Sequence, residues 1–225
     1  MKLAIFDIDG TLVQSCGADD ECYLRALDEV FGIRDVSTDW GSYDHSTDNA
    51  ILAQLIRERL GRQMIDDDVH AMQERFVAHL AAVALADPGR FAMTPGADRF
   101  LETLTRKGWR GAIATGGWRR SATFKLEQAG LARLHLPAAH ADDHRLREGI
   151  IETATRRAMG DTSVRAETTV YVGDGAWDVR AARNLGLGFV GIGTGARAER
   201  LRSVGAEWVY EDFQNVEELM AALEA

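Results

Sequence analysis

The sequence contains little cysteine: only Cys16 and Cys22 occur among its 225 residues. Two thiols cannot build the disulfide framework of a small secreted protein, and no further thiol or nearby histidine completes a metal site with them. The simplest interpretation is two free thiols in a reducing compartment. We therefore expect a cytoplasmic protein.

Long apolar segments are also missing. Only four apolar residues, Leu3 to Phe6, precede the first aspartate, which is too few for a signal peptide. The longest clearly apolar stretch, AHLAAVALA around residue 80, is far shorter than a membrane span. We expect no membrane partner.

Positive charge is in short supply as well. The chain carries 26 Lys and Arg against 35 Asp and Glu, which gives a formal net charge of -9 and a pI of about 5.2. An acidic surface repels nucleic-acid phosphates and anionic membranes, so we expect neither as a partner, although such charge also serves solubility alone. A monomer and a homodimer are both compatible with the sequence.

Short apolar runs alternate with helical patterns through most of the chain. Runs that are apolar throughout, rather than at every second residue, indicate strands buried on both faces of a parallel sheet. Their alternation with helices predicts an α/β fold with a Rossmann-like, doubly wound, mainly parallel sheet. The predicted strands are 2–6, 111–115, 168–172 and 188–193, and the predicted helices are 96–108, 120–130, 147–160 and 176–186.

One segment interrupts this alternation. Between residues 14 and 89 only helical patterns occur, near 18–31, 47–60 and 66–86. We therefore expect a helical cap, residues 14–89, inserted into a catalytic core formed by residues 1–13 and 90–225. The polar and aromatic loop WGSYDHSTD (40–48) would suit a substrate-selecting surface, but Ser46 or Thr47 is equally suited to capping the next helix.

Polar residues follow three of the predicted strands. Asp7 and Asp9 follow the first, Thr115 with Gly116 and Gly117 follows the second, and Asp174 with Asp178 follows the third. In an open α/β sheet, ligands bind beyond the carboxyl ends of the strands, so these groups should converge there. Each stretch alone could be an ordinary turn. Together, however, the carboxylates predict a Mg²⁺ site, and a neighbouring threonine and glycines suit a phosphate.

These motifs resemble a known family. The stretches DIDGTLV (7–13), IATGG (113–117) and VGDGAWD (172–178) are similar to motifs of the haloacid dehalogenase-like hydrolase superfamily, in its phosphoglycolate-phosphatase-like branch. The resemblance covers the predicted core, roughly residues 1–13 and 90–195. The helical insert matches the family's small helical cap in position and size only.

The resemblance implies a role for each motif residue. Asp7 would be the nucleophile and Asp9 the general acid and base of a phosphatase, with a small phosphorylated metabolite as substrate. Mg²⁺ would be held by Asp7, the backbone carbonyl of Asp9 and Asp174, with Asp178 as a further ligand or a residue behind the ligands. Thr115 and Gly116 would bind the phosphoryl group. Gly10 would shape the loop and offer its N–H to a phosphate oxygen.

The sequence departs from the family at the third motif, which usually carries a lysine. No lysine occurs between residues 126 and 174, and the nearest cations are Arg145 and Arg147. Arg147 stands where the lysine would be, and we favour it over Arg145, because arginine keeps the charge and can hold a phosphate by two hydrogen bonds.

Two other functions remain open at this point. A phosphosugar mutase of the same superfamily would share the same aspartates and metal. A catalytically weak, metal-binding interaction protein would be consistent with the missing lysine. A metal site at His140 and His144 is disfavoured, since both lie in a predicted loop.

Overall fold

The first strand of the sequence lies near the centre of the sheet in the computed structural model, which describes residues 1–160 and 166–225. Six strands pair in the order β3-β2-β1-β4-β5-β6, and all five pairings are parallel. The strands are β1 (Lys2–Phe6), β2 (Trp109–Ala114), β3 (Ala138–Ala139), β4 (Thr168–Gly173), β5 (Gly188–Ile192) and β6 (Trp208–Tyr210). The predicted α/β, doubly wound parallel sheet is confirmed.

The burial of β1 explains why its sequence is apolar on both faces. Leu3 and Ile5 belong to one hydrophobic cluster, and Ala4 and Phe6 belong to another on the opposite face. All four side chains are fully buried. Helices therefore cover both faces of the sheet, as the continuous apolar runs predict.

The strand order reverses beside β1. The chain adds β2 and β3 on one side of β1, then returns to place β4, β5 and β6 on the other. A reversal of this kind leaves a crevice at the carboxyl ends of the neighbouring strands, where ligands bind in open α/β sheets. Asp7, directly after β1, lies at that crevice.

The four predicted core helices and four strands occur within two residues of their expected ends. The core helices are α4 (Ala97–Arg106), α5 (Arg119–Gln128), α6 (Arg147–Met159), α7 (Ala176–Leu185), α8 (Gly195–Ser203) and α9 (Val216–Glu224). The pattern did not predict α8, α9, β3 or β6. The two missed strands have only two and three residues, too few to show a hydrophobic period.

Three helices lie between β1 and α4, close to where the sequence predicts them. They are α1 (Cys16–Phe31), α2 (Asp48–Leu60) and α3 (Asp66–Ala86), and Thr47 caps α2 by accepting a hydrogen bond from Ala50 N–H. The Tyr23 ring of α1 stacks on Trp118, whose indole is buried at the start of α5. The helices between β1 and α4 therefore pack against α5, beside the edge of the sheet. Among the described residues, none of the helices is both long and apolar enough to cross a membrane.

Candidate active site

A cavity of about 530 Å³ lies at the carboxyl ends of β1, β2 and β4. Its floor comes from the strand exits, and its other walls come from α1, from the segment leading into α2, and from α8. The predicted site residues that line it are Asp7, Asp9, Thr115, Gly116, Arg147 and Asp174. The convergence expected from three separate sequence motifs is therefore present in the folded chain.

Asp7 occupies the floor of this cavity. Its N–H still bonds the Val172 carbonyl of β4 at 2.9 Å, so the backbone that carries the carboxylate is fixed by the sheet. The residue is 4% exposed, and its Oδ1 atom has no hydrogen-bond partner among residues 1–160 and 166–225. A buried carboxylate oxygen without a donor is costly unless a ligand or cation meets it.

Three carboxylates form an acidic triad at this point: Asp7, Asp174 and Asp178. Each offers one oxygen, and these oxygens lie within 4.8 Å of one another. Asp174 follows β4, while Asp178 is fully buried in the first turn of α7, where its Oδ2 accepts a hydrogen bond from Gly175 N–H at 2.9 Å. Among the described residues this is the one group with metal-ligand geometry, and it contains no histidine.

The electrostatics of the acidic triad fit a bound cation. Burial raises the pKa of Asp7 to about 7, opposed by Arg147 and reinforced by Asp178 and Asp9. Burial likewise raises the pKa of Asp174 well above its usual value. Like charges gathered in a dry site disfavour ionisation, and a divalent cation reverses that preference. The donor set is entirely carboxylate oxygen, which suits a hard ion.

Arg147, the first residue of α6, contacts the acidic triad with its guanidinium group. Its Nη1 lies 3.0 Å from Asp178 Oδ1 and 3.5 Å from Asp7 Oδ2, and it donates to the Tyr171 hydroxyl at 3.2 Å. Nη2 donates to the Ser46 carbonyl at 2.9 Å. Although burial lowers the pKa of Arg147, its anionic neighbours outweigh that effect and raise it overall. Arg145 is exposed and lies outside the cavity lining.

Asp9 lines the cavity, and residues outside the acidic triad hold its carboxylate. Ser15 Oγ donates to its Oδ1 at 2.5 Å, and Lys125 Nζ donates to its Oδ2 at 2.6 Å. The resemblance implies that the backbone carbonyl of Asp9, not its carboxylate, meets the metal, and that role stays a prediction.

The structure corrects the expectation for Gly10. Its N–H donates to the Val13 carbonyl at 2.8 Å, so it is not free for a phosphate oxygen. The hydrogen bond between Gly10 and Val13 closes the loop after β1 and uses this N–H group. Gly10 has a φ of 73°, and a Cβ there would overlap the Asp174 carboxylate. Glycine is therefore required at this position for the close approach of the loop to Asp174.

Thr115 and its neighbours form the β2 side of the cavity. The Thr115 hydroxyl accepts a hydrogen bond from Gly117 N–H at 3.2 Å, and the residue is buried. The Gly116 carbonyl accepts from Asp48 N–H at 2.8 Å, which ties α2 to the strand exit. A side chain at Gly116 would collide with the Arg147 guanidinium and the Ser46 carbonyl.

The sequence analysis missed Arg197, which lines the cavity, and Lys125, which lies behind the cavity residues Asp9 and Asp19. Lys125 is fully buried and contacts Asp9 and Asp19, and Arg197 Nη1 lies 3.1 Å from Asp174 Oδ2. Helical spacing could have revealed Lys125, since Ser121, Ala122 and Leu126 share its buried face. Arg197 follows β5, the strand whose exit the motif search did not use.

Comparison with known proteins agrees with these observations. The haloacid dehalogenase-like hydrolase model matches residues 1–186. A phosphoglycolate phosphatase from Rhodospirillum rubrum is 31% identical, over 96% of this chain and 89% of that protein. A hydrolase from Pseudomonas syringae has a similar structure, with a TM-score of 0.75 at 24% identity over 98% of this chain and 99% of the other. A Bacteroides vulgatus protein provisionally named a β-phosphoglucomutase gives a TM-score of 0.72 at 17% identity, over 100% and 91% of the two chains.

The chain belongs to the haloacid dehalogenase-like hydrolase family, as its motifs predict. Its class of enzyme, a phosphatase that hydrolyses phosphoric monoesters, is confirmed by the family match and by the curated relatives. The similar solved structures support the fold alone, because their identities are low.

Proposed function

We propose that the protein is a Mg²⁺-dependent phosphatase of a small phosphorylated metabolite and that it acts through an aspartyl-phosphate on Asp7. The observation that carries this proposal is the unpartnered Oδ1 of Asp7, buried on the floor of the cavity within the acidic triad. An oxygen nucleophile needs a free lone pair, which this atom has among the described residues, and Asp7 lines the cavity that a substrate would enter.

The two aspartates after β1 would divide the chemistry. The Asp7 oxygen attacks phosphorus, and the bond from phosphorus to the leaving oxygen breaks. Asp9 gives its proton to that oxygen, then takes a proton from the water that attacks the aspartyl-phosphate. Inorganic phosphate leaves, and Asp7 returns to a carboxylate.

The acidic triad would hold Mg²⁺, with the Asp9 backbone carbonyl as a further ligand. When bound, the ion neutralises the charge that gathers between Asp7 and the transferring phosphoryl group. Asp174 and Asp178 each supply a carboxylate oxygen within 4.8 Å of the Asp7 oxygen. Asp178 also braces Arg147 through the 3.0 Å contact.

Arg147 and Thr115 would bind the phosphoryl oxygens. Arg147 has its charged end beside Asp7, where the family's lysine is expected, and its Nε has no partner in the part of the chain that the structure describes. The Thr115 hydroxyl lines the same floor. Both side chains would hold the phosphorus in line with Asp7.

The substrate class follows from the cavity and from the relatives. The walls beyond Asp7 carry both charges, with Asp20 and Asp48 on the insert and Arg197 with Arg200 on α8. We propose residues 14–89 as a cap that shields the reaction from water and selects the leaving group. The relatives' name makes 2-phosphoglycolate the first ester to test, beside sugar phosphates and amino-alcohol phosphates.

The test is phosphate release from this panel, with Mg²⁺ and with EDTA, by the wild type and by Asp7→Asn. We expect release that requires Mg²⁺ and that falls at least about 1000-fold in the variant. The Asn side chain keeps the shape of Asp7, so thermal melting serves as the control for folding.

Each other outcome points to a different function. Interconversion of phosphosugars without net phosphate release would favour the mutase. Mg²⁺ binding by a folded protein that turns over none of the esters would favour the metal-binding interaction protein. Release that persists in EDTA, or in Asp7→Asn, would contradict the proposed mechanism.

A further inference from the structure

We infer that Lys125 is a positioning residue, which fixes the carboxylate of Asp9 for proton transfer and ties that carboxylate to the helical insert. The inference rests on the proposed function, because it assigns a purpose to a residue that contacts Asp9 rather than the phosphoryl group. Lys125 and its partners Asp9 and Asp19 are called the lysine triad below.

Lys125 is placed for this task by the core helix α5. The residue is fully buried, and Nζ donates to Asp9 Oδ2 and to Asp19 Oδ1, both at 2.6 Å. The chain has three lysines, and the other two, Lys2 and Lys107, lie outside the core. The buried face of α5 otherwise consists of Ser121, Ala122 and Leu126, so Lys125 is its one charged residue.

The buried ammonium lies between two carboxylates and donates a hydrogen bond to each. Burial lowers the pKa of Lys125, but Asp19 and Asp9 outweigh burial and raise it above its ordinary value. Its contribution is therefore a positive charge and two directed hydrogen bonds.

The two hydrogen bonds to Asp9 define where its carboxylate points. Ser15 Oγ holds one oxygen at 2.5 Å, and Lys125 holds the other at 2.6 Å. The Asp9 side chain is free to rotate about two bonds, so these anchors select one orientation at the cavity edge. An acid and base must lie within hydrogen-bond reach of the reacting oxygen, and a displacement of about 1 Å can cost about 100-fold in rate.

The third member of the lysine triad belongs to the insert. Asp19 lies in the first turn of α1, whereas Lys125 lies on the core helix α5. A single ammonium thus joins the insert to Asp9, and α1 cannot leave α5 without breaking one of its bonds. The orientation of Asp9 consequently depends on the insert being seated on the core.

The leaving group gives a direct test. An alkyl phosphate needs a proton from Asp9 when its bond breaks, whereas p-nitrophenolate leaves without one. We would measure kcat/KM on the best alkyl ester of the panel and on p-nitrophenyl phosphate. The variants are Lys125→Met, the double variant Lys125→Met with Asp19→Asn, and Lys107→Met as a matched control on an exposed lysine.

The double variant separates positioning from stability. Lys125→Met alone leaves the Asp9 and Asp19 carboxylates without the cation between them, and that loss can unfold the protein by itself. Removing the Asp19 charge as well relieves the repulsion between the two carboxylates. The melting temperature of the double variant should lie above that of Lys125→Met and nearer that of the wild type, while Asp9 still lacks its anchor.

We expect the double variant to lose about 10- to 100-fold in kcat/KM on the alkyl ester and less than about 3-fold on p-nitrophenyl phosphate. Lys107→Met should match the wild type on both. Equal losses on the two esters, or no loss on either, in a double variant that melts like the wild type would overturn the positioning role. A wild type that releases no phosphate from any ester would instead overturn the proposed function, and the inference with it.

Discussion

Two groups of buried charge lie side by side at the carboxyl edge of the sheet, and they are balanced differently. The lysine triad places one cation between two carboxylates, with both contacts at 2.6 Å. The acidic triad gathers three carboxylates, yet one oxygen of Asp7 has no hydrogen-bond partner among the described residues. The charges of the first group are paired with one another, whereas the second group keeps an unpaired oxygen in the cavity wall. Similar residues thus hold one another in the first group and, in the proposed function, bind a cation and a substrate in the second.

The largest effect on activity is expected from substitution of Arg147, the cation that contacts two carboxylates of the acidic triad. Arg147→Met removes the guanidinium beside Asp7 and Asp178 and should lower kcat/KM by about 100-fold or more, since it also leaves buried carboxylates unpaired. Arg147→Lys keeps the charge but gives up part of the hydrogen bonding, so it should stay within about 10-fold of the wild type. Steady-state kinetics and thermal melting of both variants check this.

Equal activity in the wild type and a folded Arg147→Met would contradict the role of Arg147. The same result would indicate that the exposed Arg145 supplies the charge, or that the site needs no third-motif cation.

A smaller effect is expected in the pH dependence of stability without metal. Burial raises the pKa of both Asp7 and Asp19 from 3.8 to about 7. The folded protein then binds more protons than the unfolded chain between about pH 4 and pH 7, so its free energy of unfolding falls as pH rises through that window. Melting in EDTA should occur a few °C lower at about pH 8 than at about pH 5.5.

The same melting measurement with Mg²⁺ distinguishes the two groups. Mg²⁺ should raise the melting temperature more at about pH 8 than at about pH 5.5, because the carboxylates of the acidic triad are ionised at the higher pH and protons no longer compete with the ion for them. Asp19→Asn should reduce the pH dependence without removing the response to Mg²⁺. A melting temperature that rises with pH in EDTA would be inconsistent with the raised pKa values.

The smallest effect concerns Arg197. Its Nη1 lies 3.1 Å from Asp174 Oδ2, and its side chain is 41% exposed. Arg197 is therefore a partly exposed cation that would compete with the proposed Mg²⁺ for this Asp174 oxygen. Arg197→Gln should therefore tighten Mg²⁺ binding by a few-fold, since a surface-exposed pair is worth less than about 1 kcal/mol. Calorimetric titration with Mg²⁺ would measure the change, and weaker binding would show that Arg197 supports the site instead.

The sequence predicted the sheet and the acidic triad better than it predicted the cavity walls. Asp7, Asp174 and Asp178 follow strands directly, so local pattern and sheet topology suffice to bring them together. Lys125 and Asp19 meet because α3 packs against both α1 and α5, and no local rule fixes how helices carrying residues 106 positions apart will be brought together. The Gly10 N–H was assigned wrongly for a related reason, since its partner Val13 depends on how the loop closes.

The boundaries of the insert stay a prediction, although its three helices occur where the pattern indicates. The phosphate-binding roles of Thr115 and Gly116 likewise stay predictions, although both residues line the cavity.

The central position of β1 has a consequence for how the chain is made. Residues 2–6 are synthesised before both strands with which they pair, β2 and β4, which begin at residues 109 and 168. During synthesis β1 therefore stays unpaired until these later strands have been translated. Contacts so distant in sequence form slowly, and an apolar strand without neighbours is prone to aggregate. The proposed nucleophile is thus synthesised well before its surroundings, so a nascent chain cannot have a complete acidic triad before Asp178 has been added.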